Sequence, residues 1–305
     1  MLKQFNFIFR PSRAPRTVFL HYHIFKNAGV TIDWILAKNF ARRAICMDTD
    51  VARAILPTEV AINYLEANPR ISAFSSHQLR LPVPQIDSVN FIPMYFIRHP
   101  IDRACSVYSF NRSRPDGVNP DSAAAKEMSI SDYIKYLLEK DNKIITNFQI
   151  AHLSGKDLRQ SMQEEDLHGA IERMRSCTIL GVVDRLDESL VAAEENLKAT
   201  VENLDLAYVR QNVTRSGSLH ERIEIAISEM ENNVFSMLGK QNLLDMELYQ
   251  EANRELDRRL NEIDDLESKL TNFRLRCEKL SKDNIRKRLN IRTIIYNQHV
   301  NKPGE

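Results

Sequence analysis

Glycine is scarce in this chain. There are eight glycines in 305 residues, where average usage of ~7% would give about 21. Each glycine therefore marks a place where the backbone has a reason to go without a side chain. Cysteine is also sparse. Cys46, Cys105, Cys177 and Cys277 form no CxxC pair, which argues against a zinc site and a disulfide framework and points to buried or free thiols. No apolar run approaches the ~18 residues that span a bilayer. The apolar stretch among Lys3, Arg10, Arg13 and Arg16 is too short for a signal peptide, so the expected location is cytoplasmic. Charge of one sign is missing too: 42 Lys and Arg against 41 Asp and Glu leave +1. No nucleic-acid partner is expected of such a balance, and any anion site must be a local arrangement.

What remains is a globular composition, 43% hydrophobic and 27% charged. Thr17 to His23, β-branched and aromatic, predicts a strand. Ile32, Ile35, Leu36 and Phe40 then recur at helical spacing over Thr31 to Ala44. Further strands are expected at Ile71 to Ser76, Met94 to Arg98 and Cys177 to Val183, and helices at 58–67, 101–110, 131–138, 141–153 and 187–204. Asn111 to Ser129, with Pro115, Gly117 and Pro120, predicts a long surface loop. Strands alternating with helices imply a parallel sheet with crossovers.

Two segments carry chemistry. The first, Ile24-Phe25-Lys26-Asn27-Ala28-Gly29-Val30, leads from a strand into a helix that begins near Thr31. Backbone amides and the helix N-terminus make such a turn an anion site. Ala28 and Gly29 let the backbone close on a ligand, and Lys26 brings an ammonium. The lysine precedes the glycine, so this is not a GxxxxGK[ST] loop. The second, Phe96-Ile97-Arg98-His99-Pro100-Ile101-Asp102-Arg103, again joins strand to helix, and Ser106 follows Arg98 by eight residues. A guanidinium fork with a hydroxyl suits a phosphate. Two anion sites at neighbouring strand ends suit a ligand with two separate phosphate-like groups.

HIFKNAG and FIRHPIDRACSVYS resemble the two cofactor motifs of sulfotransferases that use 3′-phosphoadenosine 5′-phosphosulfate (PAPS). The likeness is to the branch holding the heparan sulfate 2-O- and 6-O-sulfotransferases and their bacterial relatives. Asn147-Phe148-Gln149 with Leu153-Ser154-Gly155, Leu180 to Leu190, and Leu243 to Tyr249 resemble later segments of that family, in order. The departures are Phe25 for Pro, Asn27 for Thr or Ser, Val30 for Thr, and His99 for Asp or Asn.

The resemblance implies an α/β fold with a P-loop-NTPase-like parallel sheet flanked by helices, and sulfuryl transfer from PAPS, leaving adenosine 3′,5′-bisphosphate, to an acceptor hydroxyl, with a saccharide as the partner substrate. It makes Lys26 the residue that stabilises the leaving group. The amides of Asn27, Ala28, Gly29, Val30 and Thr31 would bind the 5′ end, and Arg98 and Ser106 the 3′-phosphate. Arg210 and Arg215 would close over the nucleotide. His77, just after a strand, is the candidate base, with His21, His23 and His152 as alternatives; His21 and His23 read better as packing residues. Asn147, Gln149 and His152 are expected on the acceptor side. No metal ligands are expected. Rival readings are a non-catalytic assembly protein on the same scaffold, and a nucleoside or nucleotide kinase.

The last quarter differs in kind. From Leu243 to about Asp283 there is no Gly or Pro, and Leu256, Leu260, Ile263, Leu266, Leu270, Phe273, Cys277 and Leu280 step by threes and fours. This predicts one long coiled-coil-like helix. Its acidic first half and basic end suit antiparallel pairing in a homodimer; the alternative is a helix packed back on its own domain. The expected division is therefore 1–240 as the catalytic domain, 241–297 as a helical extension whose start packs on that domain, and 298–305 as a tail.

Overall fold

The computed structural model describes residues 15–51, 54–157, 160–211, 217–282 and 291–296. The expected tail and Arg215 lie outside these residues. Six strands form one sheet: β1 (Arg16–Tyr22), β2 (Ala44–Thr49), β3 (Ala73–Ser76), β4 (Val89–Ile97), β5 (Ile179–Val182) and β6 (Arg292–Tyr296). Every pairing is parallel and the order is β5-β4-β1-β3-β2-β6. The chain winds from β1 through β2 to β3 on one side, then crosses to β4 and β5 on the other. The crevice above β1 and β4 is therefore the switch point where open α/β sheets hold ligands.

Helices cover both faces. Residues alternate along β1: Val18, Leu20 and Tyr22 join one core, and Phe19 the other. The first core takes α2 (Thr58–Ala67), α6 (Phe148–Ser154), α7 (Glu164–Ser176) and α11 (Leu243–Leu260). The second takes α1 (Gly29–Phe40), α8 (Leu186–Leu197) and α12 (Leu266–Lys282). A third cluster, built from α3 (Pro100–Ser113), α4 (Pro120–Glu127), α5 (Ile130–Glu139), α9 (Leu219–Glu229) and α10 (Asn232–Lys240), packs on itself beside the sheet.

Four readings change. The loop expected over Asn111 to Ser129 contains α4, capped by the Asn119 side chain, which accepts from Ser122 N with Pro120 in the first turn. Strand β2, hidden in sequence behind the run Ala41-Arg42-Arg43, pairs between β3 and β6. The long C-terminal helix is two helices. α11 ends at Leu260, and Asp265 in the left-handed region (φ 56°) precedes α12. The apolar seam is spent on the chain's own sheet: Leu256 and Leu260 lie in one core, Leu270, Phe273 and Leu280 in the other. β6, in the segment expected to be helical, extends the sheet. The described residues of 241–297 thus pack on the domain's own sheet, and their seam faces the chain's own cores.

Phe273 is fully buried between α8 and the Tyr208 ring. Phe273→Ala should lower unfolding free energy by about 3–5 kcal/mol. In urea titrations the loss should not depend on protein concentration; a free or intermolecular seam would show little loss or a concentration-dependent one.

Candidate functional site

The turn after β1 is held in an unusual shape by its own backbone. Lys26 (φ 67°) and Ala28 (φ 61°) both adopt the left-handed conformation without being glycine, which costs on the order of 1 kcal/mol or more each. Asn27 N donates to Ile24 O, and Ala28 O closes the first turn of α1 through Thr31 N and Ile32 N. Ala28 is the N-cap and offers no side chain to the first turn, which leaves the amides of Gly29 and Val30, both at the cleft wall, available to an anion. Gly29 is required by packing: a Cβ there would lie 2.0 Å from the His23 ring.

Asn27 does not take the place of a phosphate-binding hydroxyl. Its side chain is buried, and Nδ2 donates to Phe96 O (2.7 Å) and Gln149 Oε1 (2.6 Å). Gln149 Oε1 also accepts from Arg98 N (2.8 Å), and Gln149 Nε2 donates to Arg98 O (2.8 Å). One amide thus ties the turn after β1 to the end of β4. Asp245 anchors the knot from α11: its carboxylate accepts from Gln149 N (3.0 Å) and Ile150 N (2.8 Å). Burial pushes the Asp245 carboxyl up, against the Arg103 guanidinium and these amides. Asn147 Oδ1 accepts from Asp245 N. His152 is buried against Phe148, and burial holds its pKa well below the ordinary value. Asn147, Gln149 and His152, expected on the acceptor side, are instead framework: none of them is among the residues that line the cleft.

That cleft, about 740 Å³, opens above β1, β4 and β5. Its wall includes Lys26, Ala28, Gly29, Val30, Thr31, Arg98, Ser106 and His77, eight of the expected site residues. It also includes His23, Phe110, Asp184, Arg210 and Arg222, of which the sequence had suggested only Arg210, together with His23 as a packing residue. Lys26 Nζ sits 4.7 Å from the centroid of Phe110, whose ring meets Phe25 edge-on. Burial, with Arg98 nearby, lowers the Lys26 pKa to about 8. Arg98 is braced by Nε to Asp102 Oδ2 (2.8 Å) and Nη1 to Lys26 O (2.8 Å). A guanidinium has five N–H donors, so these two contacts leave capacity for a phosphate. The buried Asp102 is shared with Arg222, 3.0 Å from Nε to Oδ1. Burial raises the Asp102 carboxyl, but Arg98 and Arg222 outweigh this and hold it low. Thr31 Oγ1 accepts from Gln211 N, joining α1 to the segment that follows Tyr208.

His77 and His23 face one another across the cleft floor, rings stacked 3.7 Å apart. His23 Nδ1 lies 2.9 Å from Asp33 Oδ2, and His21 Nδ1 2.9 Å from Asp33 Oδ1. Burial lowers the His23 pKa to about 4 despite Asp33, so the ring is neutral near pH 7. His77 Nδ1 lies 2.8 Å from Asp48 Oδ2. No metal-ligand spacing is visible along the sequence. The fold nonetheless gathers His21, His23 and Asp33, and separately Cys46, Asp48 and His77, with ligand atoms within 4.8 Å of one another. The close contacts within both trios are N–H···O hydrogen bonds.

No family model matches this chain. It is 27% identical, over 244 residues, to an uncharacterized protein of Archaeoglobus fulgidus, covering 78% of this chain and 96% of that protein.

Two outcomes check this account. Gln149→Leu strands two backbone groups of Arg98 and the Asn27 amide, and should cost roughly 3 kcal/mol or more in urea unfolding, where a residue merely lining a pocket would cost under about 0.5 kcal/mol. Lys26 binds its proton less tightly folded (about 8) than unfolded (10.5). Its charge is therefore a burden on the fold at pH 7, and the burden lifts as pH rises from about 8 to 10.5. Lys26→Met should be at least as stable as wild type at pH 7, and that difference should shrink by pH 10.5; a difference that grows over this window would contradict the placement of Lys26.

Proposed function

We propose that this chain is a cytoplasmic sulfotransferase that moves a sulfuryl group from PAPS to an acceptor hydroxyl on a carbohydrate. The observation that carries the reading is the convergence of Lys26, the α1 amides, Arg98 and Ser106 in one cleft at the ends of adjacent strands β1 and β4. They come from two segments some 70 residues apart in the chain. A cleft of about 740 Å³ falls in the size range of nucleotide-like ligands. The six-stranded parallel order with β1 at its centre supports a P-loop-like fold, although the loop itself has its lysine before the glycine. The choice of saccharide rests on the motif resemblance.

In this reading the first-turn amides and Lys26 receive the 5′-phosphosulfate, while Arg98 and Ser106 receive the 3′-phosphate. Arg210 and Arg222 add positive charge along the wall. The acceptor oxygen forms its bond to sulfur as the bond from sulfur to the bridging oxygen breaks, and the electron pair goes to the departing bisphosphate. Such a loose transfer depends on position and charge. Lys26, an ammonium made more acidic by burial, is suited to meet the charge growing on that bridging oxygen. His77 takes the acceptor proton. The reading as an assembly scaffold loses its main support, because the apolar seam it relied on is buried in the chain's own cores.

Calorimetric titration with adenosine 3′,5′-bisphosphate, beside 5′-AMP and the Arg98→Ala variant, tests the reading. Micromolar binding is expected for the bisphosphate. Loss of the 3′-phosphate or of the Arg98 side chain should weaken it by tenfold or more, about 1.4 kcal/mol. Equal affinity for 5′-AMP, or no binding by the folded wild-type protein, would overturn it.

A further inference from the structure

His77 belongs to the loop after β3, and nothing in its own segment fixes the ring. The partner that does so is Asp48, on β2, 29 residues earlier. Its carboxylate meets His77 and Ser76 three times, beside a longer contact from Cys46 Sγ to Oδ2 (3.9 Å). Oδ1 accepts from His77 N (2.9 Å) and from Ser76 Oγ (3.0 Å), and Oδ2 meets His77 Nδ1 at 2.8 Å. Burial raises this carboxyl, and the His77 contacts bring it below its ordinary value, so it remains an acceptor. An ionised carboxylate can only accept hydrogen bonds. The proton of a neutral His77 ring must then sit on Nδ1, and the lone pair on Nε2.

The opposite face of the ring is fixed as well. His23 stacks on it at 3.7 Å. His23 is itself pinned through Nδ1 by Asp33, and its other edge abuts Gly29 in the anion loop. The side chain of His77 keeps 41% exposure and lines the cleft. This is a half-open imidazole, clamped in orientation and proton position by one half-buried carboxylate and backed by a second, neutral imidazole.

We infer that Asp48 is a positioning residue for the transfer: it holds His77 as the Nδ1–H tautomer, so that Nε2 accepts the proton of the acceptor hydroxyl. The inference rests on the sulfotransferase reading for the identity of the reaction, but not for the tautomer. As the acceptor oxygen bonds to sulfur, its proton passes to Nε2, and the imidazolium that forms faces the Asp48 carboxylate on one edge. Around it stand His23 just after β1, Arg80 in its own loop and His152 on α6. Asp48 is thus the nearest anion to the charge that develops.

The test uses the whole protein labelled with 15N-histidine. At about pH 8, above the ordinary histidine value of ~6.5, long-range 1H–15N correlation reports which ring nitrogen of His77 carries the proton. Wild type should show Nδ1–H. Asp48→Asn, whose amide can donate to Nδ1, should lose that tautomer, and Asp48→Glu should keep it at least in part. In parallel, the conversion of PAPS to bisphosphate and sulfate, with water as acceptor, should slow about tenfold or more in Asp48→Asn, with bisphosphate affinity held within about twofold and partial recovery in Asp48→Glu. An Nε2–H tautomer in the wild-type protein overturns the inference whether or not the variants fold. So does an Asp48→Asn protein that keeps wild-type tautomer and rate. Failure of wild type to bind the bisphosphate would instead remove the sulfotransferase reading, and the tautomer measurement would still decide the role of Asp48.

Discussion

The amide of Gln149 is the contact on which the cleft depends. It spends both oxygen lone pairs and both N–H donors on four groups: Asn27 Nδ2, the N and O of Arg98, and Asp245. The ends of two adjacent strands are thereby fixed at one spacing before any ligand arrives. Beside that tie, Asn27 Nδ2 to Phe96 O and Arg98 Nη1 to Lys26 O hold the same turn, whose two left-handed residues disfavour their own conformation. The net worth of one such hydrogen bond is about 1 kcal/mol, but leaving its buried partners unmade costs more. The knot is therefore a strong constraint built from individually modest parts.

The cleft gathers positive charge without an excess of it in the chain. Arg98 and Arg222 share the Asp102 carboxylate, which keeps two guanidiniums close while cancelling part of their repulsion. Among the described residues the Lys26 ammonium rests against Phe110 and Phe25. Its burial makes it the most easily deprotonated cation of the wall. On the other side of the loop, two imidazoles each give their Nδ1 to a carboxylate. A wall of donors for anions thus meets a pair of oriented bases, the division of labour that transfer from an anionic donor to a hydroxyl calls for.

How much of this the sequence disclosed depended on whether a role was local. The turn 24–30 and the strand end at Arg98 were legible, because an anion site made of amides and a helix start is a property of contiguous residues. The sheet was legible in outline, but β2 was missed because Ile45, Cys46 and Met47 are too few to show a period, and β6 because only its pairing to β2 makes it a strand. The helical seam was legible as apolar, but whether it met a second chain or its own domain was not, since periodicity says that a face is buried but not against what. His23 looked like packing because its partners, Asp33 and His77, arrive through tertiary structure. Asp48 gave no signal at all: its bond to His77 spans 29 positions. Asn147 and Gln149 were found through their motif, but their hydrogen bonds to Asp245 arise only in the fold and gave no signal along the chain.

The most direct measurement of the central claim is a crystal structure of the protein with adenosine 3′,5′-bisphosphate. The account predicts the 5′-phosphate on the amides that open α1, beside Lys26, and the 3′-phosphate on Arg98 and Ser106, with the Gln149 knot unchanged. A nucleotide bound elsewhere, or in this cleft with the 3′-phosphate away from Arg98, would contradict it.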